Sequence, residues 1–583
     1  MSVTLRGRAQ TAPQTTRASA WARALARWSY LPLACILTLQ AGVAVLTLRN
    51  TAFQDEALYL YAGRQLMTSI RTGVPEIDPF ASYMSGNPYF YPLLAGIFDA
   101  WGGVEAARVL SLVAMLVVTI CVYWVAGHLF SRESAIFAAA IFAFQGPVLF
   151  LARLATYDAM CLMLLALAVV VAFRASTARA PLLALALGPL LVLATLNKYA
   201  AMLWAPSTLA ILAWQTLGAR GWFQALLRVV LALISIAASA ALALAVLDHS
   251  FLHAVAGSTT SRAITQPAPR PGLIWEVVAL GGIGLTLGFL GLLFAGRKRR
   301  MIALILFGSA LLAPAYHLYK AEPVSLDKHI AYAMFFAAPL AGYAVTRLAG
   351  AGRTLVVASR SWLAALALCL IVFLLGAQQG HWMFHTWSDS SGMVQVMRSL
   401  VRPTGGHYLA EDMEVARYYL RDVTEDWQWV GPFWFEYTSK QGQYFAGVDA
   451  YKAAVADGFF DVIEMSYGVA APLDFALQPE LLSGKQYDLA AKVFVQNVYG
   501  AAYTMIWRKH VVAGAAPSGD QGGGPPPAPA GPNGFVPFTP SVGAFGERPS
   551  SGLQALYPQA DVPYGSPLAM ASAWKNAAPW SVG

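Results

Sequence analysis

Charged residues are scarce in this sequence: 12% of its 583 residues are Asp, Glu, Lys or Arg, whereas 57% are hydrophobic. Soluble globular proteins carry about 25% charged residues. The composition therefore predicts an integral membrane protein with soluble parts attached. The net charge of +9 does not indicate nucleic-acid binding, because the arginines cluster between apolar segments, as orientation signals do.

Cysteines outside the apolar segments and phosphate-binding glycine motifs are also lacking. The four cysteines all fall inside apolar segments, so we expect neither a disulfide framework nor a cysteine-based zinc site. No P-loop or Rossmann glycine motif stands in a suitable strand–helix setting, and no repeat of solenoid period is present. A soluble nucleotide site is therefore not expected. The cysteines are Cys35, Cys121, Cys161 and Cys369.

Long apolar segments dominate what is present. About twenty apolar residues span the hydrocarbon core of a bilayer, and we count about eleven such segments. The closely spaced segments around Arg153 and Lys198 leave a re-entrant arrangement open. The segments lie near 30–48, 106–129, 134–151, 156–173, 181–197, 199–215, 225–247, 273–295, 301–318, 329–346 and 361–378.

The basic residues predict the orientation of these spans. Residues 1–29 are rich in arginine and precede an apolar run without a clear small-residue cleavage site, which favours a retained first helix. If this N-terminus is cytoplasmic, the inside loops hold most of the remaining arginines and the outside loops hold nearly all the acids. We therefore predict a multi-pass protein of the cytoplasmic membrane with its N-terminus inside.

Three parts of the chain lie outside the apolar spans. The first outside loop, about 49–105, contains an amphipathic run from Ala57 to Arg71 that predicts a helix lying on the membrane surface. Residues 379–510 alternate short strand-like and helical runs, which predicts a small α/β domain on the outside. Residues 511–583 are rich in Pro and Gly, which is typical of a disordered tail.

Several polar residues at the predicted outer face each have an ordinary structural explanation. Asp55 and Glu56 could be an acidic pair stabilised by a helix dipole, and Asp158 could be a helix cap. Lys198 stands between two apolar runs, where an ammonium group is costly without a partner, although it could also reach the interface by snorkelling. The pair Lys328-His329 could be an interfacial anchor.

A metal site was weighed at His381 and His385, which are four residues apart and could share a metal on one helical face. The neighbouring tryptophans and phenylalanine favour an interfacial aromatic belt there instead.

Taken together, these groups indicate chemistry at a lipid-linked phosphate. A carboxylate can take the proton from an incoming hydroxyl group. Fixed cations can balance the charge that grows on a departing phosphate. A lipid tail can stay in the bilayer throughout, so no soluble nucleotide is needed.

At this point the chain resembles a known family. The run Phe53-Gln54-Asp55-Glu56-Ala57-Leu58-Tyr59 is similar to the first-loop acidic motif of GT-C glycosyltransferases, in the branch of the protein O-mannosyltransferases and the aminoarabinose transferase of lipid A. Three further runs resemble later motifs of the same enzymes, and the resemblance covers about residues 30–345. The three runs are Arg153-Leu154-Ala155-Thr156-Tyr157-Asp158-Ala159-Met160, Leu196-Asn197-Lys198-Tyr199 and Lys328-His329.

The resemblance implies a mainly α-helical, polytopic GT-C catalytic domain over residues 30–378 that uses a polyprenyl-phosphate sugar and inverts the anomeric centre. Asp55 matches the general-base position, Asp158 is expected to shape the acceptor side, and Glu56 to tune Asp55 or contact the acceptor. The groups expected to hold the donor phosphate are Lys198, Arg262, Lys328 and His329. Four tyrosines are expected to line the substrate site: Tyr59, Tyr91, Tyr157 and Tyr199.

The expected partners are the lipid-linked donor, a cell-envelope acceptor and membrane lipids, and no nucleic acid. No cofactor is required by the sequence, while a divalent cation bound by Asp55 and Asp158 stays open. The chain lacks the β-trefoil insertion of the protein O-mannosyltransferases, which leaves the acceptor undefined. The alternatives are an oligosaccharyltransferase or ligase that uses a diphosphate-linked glycan, a transporter or lipid flippase, and a non-catalytic scaffold presenting residues 379–510.

Overall fold

The computed structural model describes residues 30–510 apart from 77, 79, 248–249, 259–267, 351–354, 434 and 469. The predicted basic N-terminus (1–29) and Pro/Gly-rich tail (511–583) lie outside the described residues, and so does Arg262.

The described part of the membrane domain is a bundle of helices, and each of the predicted apolar segments is helical. The helices are α1 (Leu31–Thr47), α2 (Gln54–Thr72), α3 (Phe80–Tyr83), α4 (Tyr91–Leu129), α5 (Arg132–Ala143), α6 (Gly146–Arg153), α7 (Tyr157–Thr177), α8 (Leu187–Asn197), α9 (Ala205–Arg220), α10 (Trp222–Val246), α11 (Ser250–Ser258), α12 (Arg270–Phe294), α13 (Arg300–Lys320), α14 (Leu326–Ala349) and α15 (Leu355–Phe384). Short 3-10 helices, Pro181–Ala186 and Tyr199–Trp204, precede α8 and α9. These helices confirm a mainly α-helical, polytopic membrane protein.

The number of continuous spans is smaller than the number of apolar segments. Within the described residues, seven helices are long and apolar enough to cross a membrane, or up to eight if the bent pair α5–α6 is one span. This pair bends by 66° at residues 144–145, where Pro147 stands at the start of α6. Proline lacks the N–H that a continuous helix needs, so the predicted single span near 134–151 is broken. Helix α1 and the segment Pro181–Asn197 are apolar but shorter.

Helices α12 and α14 approach each other closely because one face of α12 consists of glycines. A Cβ atom at Gly291 would lie 2.1 Å from the Leu340 carbonyl oxygen, and one at Gly284 would lie 2.5 Å from the Met334 sulfur. Small residues at such a contact let two backbones pack together, which is a main source of helix association in membranes. The buried face of α14 forms much of the core of the domain.

The first long loop contains more helix than expected. Helix α2 covers the predicted run from Ala57 to Arg71 but is buried on much of its surface, since it packs between α4 and the C-terminal domain. It does not lie on an open membrane surface. Helix α4 already begins at Tyr91 and changes direction at Gly102 and Gly103, the latter with a φ of +68°. The predicted loop 49–105 therefore ends earlier, and its last part is a kinked helix.

The C-terminal region is an α/β domain, as predicted. The last membrane helix continues to Phe384, beyond the predicted boundary at residue 378. The domain has a five-stranded sheet of order β2-β1-β5-β7-β6, in which β1 is parallel to β2 and β5, whereas β7 is antiparallel to β5 and β6. Its elements are α16 (Ser391–Leu400), β1 (Tyr408–Ala410), α17 (Met413–Leu420), β2 (Trp429–Val430), β3 (Glu436–Thr438), β4 (Tyr444–Ala446), α18 (Val448–Ala456), β5 (Val462–Met465), α19 (Ala471–Leu482), β6 (Tyr487–Asn497) and β7 (Gly500–Lys509). Strands β3 and β4 form a separate hairpin.

The α/β domain is attached to α2 by a buried arginine. Arg417 of α17 forms ion pairs with Asp78 and with Asp426, the latter at 3.0 Å, and its guanidinium lies 4.4 Å from the centre of the Tyr61 ring. The Tyr61 hydroxyl donates a hydrogen bond of 2.9 Å to Asp426. These contacts place the domain on the same end of the helix bundle as the first long loop.

Substituting Gly291→Leu should destabilise the membrane domain. The new side chain would meet the α14 backbone, and overpacking of this kind costs about 1–3 kcal/mol. We expect a lower thermal unfolding temperature of the purified protein in detergent. Gly282→Leu is the matched control, because a Cβ at Gly282 meets only Val278 of the same helix. Equal unfolding temperatures for the two variants would contradict the proposed close packing.

Candidate active site

Four ionisable residues gather at the end of the bundle where the first long loop lies. We call Asp55, Asp158, Lys198 and Lys328 the lysine–carboxylate cluster. They come from the beginning of α2, the beginning of α7, the residue after α8 and the first turn of α14. Lys328 lies within electrostatic reach of both carboxylates.

Asp55 is paired with a lysine distant in sequence. The ammonium group of Lys328 donates a hydrogen bond of 2.6 Å to the Asp55 carboxylate. The lysine side chain is 8% exposed and the Asp55 side chain 36% exposed. The Lys328 ammonium also lies 5.4 Å from the centre of the Phe53 ring, close enough for a cation–π contact. One side of the pair is therefore enclosed by protein, while the carboxylate remains accessible.

Asp158 and Lys198 form the second pair, which is almost completely buried. Their side chains are 1% and 6% exposed and are joined by an ion pair. The Thr156 hydroxyl donates to the other Asp158 oxygen at 3.2 Å, and the Tyr332 hydroxyl donates to the Asp158 carbonyl at 3.0 Å. A buried ammonium without a partner is costly. The partner of Lys198 is Asp158.

A short backbone contact positions the Lys198 turn. The Asn87 N–H donates to the Leu196 carbonyl at 2.7 Å, and the Tyr199 N–H donates to the Ser85 carbonyl at 2.9 Å. Gly86 lies between these two bonds, and a Cβ added there would be 2.1 Å from the Asn197 carbonyl oxygen. The segment 85–87 therefore fits against residues 196–199 only because residue 86 has no side chain.

The four expected substrate-lining tyrosines occupy different positions. The rings of Tyr59 and Tyr157 lie 4.6 Å apart, and the Lys198 ammonium is 5.2 Å from the centre of the Tyr157 ring. Burial and the nearby Asp55 carboxylate raise the pKa of Tyr59 well above its ordinary value, so its hydroxyl stays protonated. Tyr91 is buried and shares a hydrogen bond of 3.3 Å with Ser111. Tyr199 is buried with no hydrogen bond to its hydroxyl among the described residues.

The loop before Lys328 is held in an unusual backbone conformation. Ala321 and Ser325 have φ values of +55° and +66°, in the left-handed region that disfavours side chains. His317 spans this loop: its Nδ1 lies 2.7 Å from the Glu322 carbonyl oxygen, and its Nε2 lies 2.8 Å from Nδ1 of His329. His329 therefore contacts a second histidine, while Lys328 contacts Asp55.

Glu56 has a structural position. It is completely buried, and the Arg108 guanidinium donates to its two oxygens at 2.9 and 2.7 Å. Glu56 also accepts the N–H groups of Phe53 at 2.9 Å and Ala155 at 2.7 Å. Both Glu56 oxygens are thus hydrogen-bonded and shielded from solvent, whereas the Asp55 carboxylate is partly exposed. The Glu56 carboxylate is already occupied by these four donors, and its expected role in tuning Asp55 or contacting the acceptor stays a prediction.

Arg108 and Gly86 are the important site residues that the sequence did not reveal. An arginine near the start of an apolar span is typical of an interfacial anchor, so nothing distinguished Arg108. Besides Glu56, it donates to the carbonyl oxygens of Asn50 and Thr51 at 2.9 and 3.1 Å. Arg108 therefore joins α4, the linker before α2 and the acidic motif.

The residues considered as possible metal ligands lie in pairs in the described part of the chain. Among the described residues, no group of three or more His, Cys, Asp or Glu side chains could hold a metal ion. Asp55 and Asp158 each bind a lysine. His381 and His385 have ring centres 4.1 Å apart at the end of α15.

Comparison with known proteins identifies the fold. The family model described as dolichyl-phosphate-mannose-protein mannosyltransferase matches residues 86–244. ArnT from Cupriavidus metallidurans, solved with bound undecaprenyl phosphate, superimposes with a TM-score of 0.53 at 14% identity, covering 84% of this chain and 99% of ArnT. This chain has the GT-C fold.

Two other GT-C proteins align over most of this chain with lower scores. The oligosaccharyltransferase AglB from Archaeoglobus fulgidus, solved with an inhibitory peptide and a dolichol phosphate, gives a TM-score of 0.49 at 13% identity over 84% of this chain and 75% of AglB. The arabinofuranosyltransferase AftD from Mycobacteria gives 0.38 at 14% identity over 83% of this chain and 41% of AftD. No curated protein sequence matches significantly.

Glu56→Gln should destabilise this GT-C protein strongly. Breaking a buried ion pair costs about 3–5 kcal/mol. Arg108 keeps a second carboxylate partner, Glu105 at 2.9 Å, so we expect the lower end of this range. We expect a large fall in thermal unfolding temperature in detergent. Asp422→Asn is the control and should change the unfolding temperature little, because its ion pair with Arg398 is solvent-exposed, with side chains 62% and 42% exposed. Similar losses in both variants would contradict the structural position of Glu56.

Gly86→Ala should impair the site without altering any ionisable residue. The added methyl group must displace the 196–199 turn and with it Lys198, and a displacement of about 1 Å can reduce activity about 10²-fold. Sugar transfer by the purified variant would measure this loss. Gly42→Ala is the control, since a Cβ at Gly42 meets nothing within 4 Å.

Proposed function

We propose that this protein transfers a sugar from a polyprenyl-phosphate donor to a cell-envelope acceptor on the outer face of the cytoplasmic membrane. The observation that carries the proposal is the lysine–carboxylate cluster, in which an accessible carboxylate stands beside two buried ammonium groups. Such a group of residues suits the removal of a proton from a hydroxyl and the neutralisation of a phosphate.

The reaction is a single displacement with inversion. A hydroxyl oxygen of the acceptor forms a bond to the anomeric carbon while the bond from that carbon to the phosphate oxygen breaks. The bonding electrons leave with the polyprenyl phosphate, and Asp55 takes the hydroxyl proton. The greater exposure of Asp55 compared with Asp158, 36% against 1%, favours Asp55 as the base.

The two lysines stabilise the leaving phosphate. Lys198 is the main donor-binding residue and Lys328 the second. Both ammonium groups are withdrawn from water, where they attract the negative charge of the phosphate more strongly. In the ligand-free arrangement each lysine is neutralised by an aspartate. Donor binding supplies a competing anion, so Lys328 can turn from Asp55 to the phosphate. The released carboxylate then becomes a stronger base at the moment the donor is in place.

Asp158 and Tyr59 shape the rest of the site. Asp158 holds Lys198 and orients it, and Tyr59 offers a protonated hydroxyl next to Asp55. The Tyr157 ring lies 4.6 Å from the Tyr59 ring and 5.2 Å from the Lys198 ammonium, where it can pack against the sugar. His329 supports the position of Lys328 through its contact with His317.

Asp55→Asn should lower the turnover number by about 10²–10⁴-fold, as expected for loss of a general base. Lys198→Ala should lower the turnover number by about 10²–10³-fold, because stabilisation of the leaving phosphate is lost. The assay incubates purified protein with a panel of radiolabelled polyprenyl-phosphate sugars and cell-envelope extract, and measures label in the acceptor.

The matched controls are Asp449→Asn and Lys452→Ala, which change exposed residues of the α/β domain. Both should transfer sugar at the wild-type rate. Undiminished transfer by Asp55→Asn would remove the base assignment. Transport of the donor without any transfer would favour a flippase, and transfer only from diphosphate-linked glycans would favour an oligosaccharyltransferase or ligase.

The same assay tests the need for a divalent cation. The pairing of both aspartates with lysines supports a reaction without a metal, so transfer should persist in EDTA. Loss of transfer in EDTA, with recovery on adding Mg²⁺ or Mn²⁺, would show that a cation takes the place of a lysine at one of the aspartates.

A further inference from the structure

A second concave site lies between α2 and the α/β domain. It is a cavity of about 640 Å³ whose walls include Tyr61, Gln65 and Thr68 on one side and Arg398, Tyr419 and Arg421 on the other. Both walls belong to segments outside the membrane spans. None of the residues of the lysine–carboxylate cluster lines this cavity.

The α2 wall is one face of the helix that carries Asp55. Tyr61, Gln65 and Thr68 are spaced by four and three residues, so they lie in one stripe. Gln54, seven residues before Tyr61, belongs to the same stripe and donates to Glu414 of α17 at 3.1 Å. The α/β domain therefore covers this stripe near Asp55 and leaves it open farther along the helix.

The polar groups of the walls suit hydroxyl groups better than an ion of either sign. Arg398 binds Asp422 at 2.7 Å, which also lines the cavity. Arg421 also faces the cavity and forms no ion pair within the described part of the chain, where its guanidinium lies 4.4 Å from the centre of the Tyr418 ring. Arginine and glutamine side chains provide donors, while Asp422, Glu425 and Asp426 provide acceptors on the same walls.

An ionic ligand would meet repulsion here. A phosphate would approach the carboxylates of the lining, and an ammonium group would approach its arginines. A neutral ligand with many hydroxyl groups both donates and accepts hydrogen bonds, and it can pack on the ring of Tyr419, which is only partly buried. The mainly polar lining also disfavours a lipid chain.

The distance to Asp55 sets the size of the ligand. Along α2, Tyr61 lies six residues and Thr68 thirteen residues beyond Asp55, which correspond to about 9 and 20 Å at a rise of about 1.5 Å per residue. A single sugar ring cannot occupy the cavity and present a hydroxyl to Asp55. A ligand that does both must be a chain of several sugars, and it must pass outside the part of the stripe that α17 covers at Gln54.

We propose that this cavity binds an internal segment of a polysaccharide acceptor, several sugars away from the hydroxyl that is glycosylated. The proposal rests on the proposed function and adds the class of the acceptor: a neutral oligosaccharide or polysaccharide rather than a lipid headgroup or a protein. The donor stays in the bilayer, and the α/β domain and α2 together hold the acceptor chain.

The test uses oligosaccharides made by partial acid hydrolysis of cell-envelope polysaccharide, separated by size and labelled with a fluorophore. Fluorescence anisotropy measures their binding to the purified full chain in detergent without donor. Fragments of four or more sugars should bind at least about tenfold more tightly than single sugars and disaccharides, because only they reach the cavity contacts.

Thr68→Trp fills the cavity and should remove this length dependence. Thr68 is exposed, so the variant should fold, and an unchanged thermal unfolding temperature checks this. The matched control is Ile70→Trp, a residue that is 63% exposed on the same helix outside the cavity. Arg421→Gln, which enlarges the cavity, should also weaken binding of the long fragments.

In the transfer assay, Thr68→Trp should raise KM for long acceptors about tenfold with kcat unchanged, since the lost contacts act equally on ground and transition states. Equal affinity for all fragment lengths, no fragment binding, or no effect of Thr68→Trp would overturn the proposal. Length-dependent binding that Thr68→Trp abolishes supports the saccharide site even without transfer; absence of transfer counts against the proposed function alone.

Discussion

The arrangement of the site depends on the ion pair between Glu56 and Arg108. Both side chains are fully buried, and together they hold the backbone of residues 50, 51, 53 and 155. Successive residues on a helix point about 100° apart. Because Glu56 is fixed toward α4, Asp55 is directed elsewhere, and it contacts Lys328. One buried pair thus orients the accessible carboxylate and brings the beginning of α7 next to it.

Much of the membrane domain could be predicted from composition and hydropathy. Each apolar segment is helical, because hydrocarbon leaves a backbone no alternative to internal hydrogen bonds. The number of continuous spans could not be read in the same way. Residues 134–151 are predominantly apolar, yet the helix turns sharply before Pro147. An apolar composition indicates that a segment is buried, in lipid or in protein, but it does not indicate whether the helix bends.

The site shows a similar limit. Asp55, Asp158, Lys198 and Lys328 stood out because charge is rare in this chain, and the structure brings the four together. Assigning the base to Asp55 rather than Glu56 requires the partner of each carboxylate. The partner of Asp55 is Lys328, 273 residues away, and the partner of Glu56 is Arg108, 52 residues away. Sequence spacing carries no information about such contacts. The same holds for Gly86, whose importance depends on a carbonyl oxygen of Asn197, and for Arg417, whose partners include Asp78.

The loop between α13 and α14 gives Lys328 a particular mechanical setting. Two of its residues, Ala321 and Ser325, adopt left-handed backbone angles, each at a cost on the order of 1–2 kcal/mol. His317 contacts the Glu322 carbonyl oxygen within the loop, and Asp55 accepts a hydrogen bond from the Lys328 ammonium. The lysine is thus attached to a segment with stored conformational energy. In the reaction proposed above, where the donor phosphate takes the place of Asp55, relaxation of this loop can supply part of the free energy for the movement of the lysine.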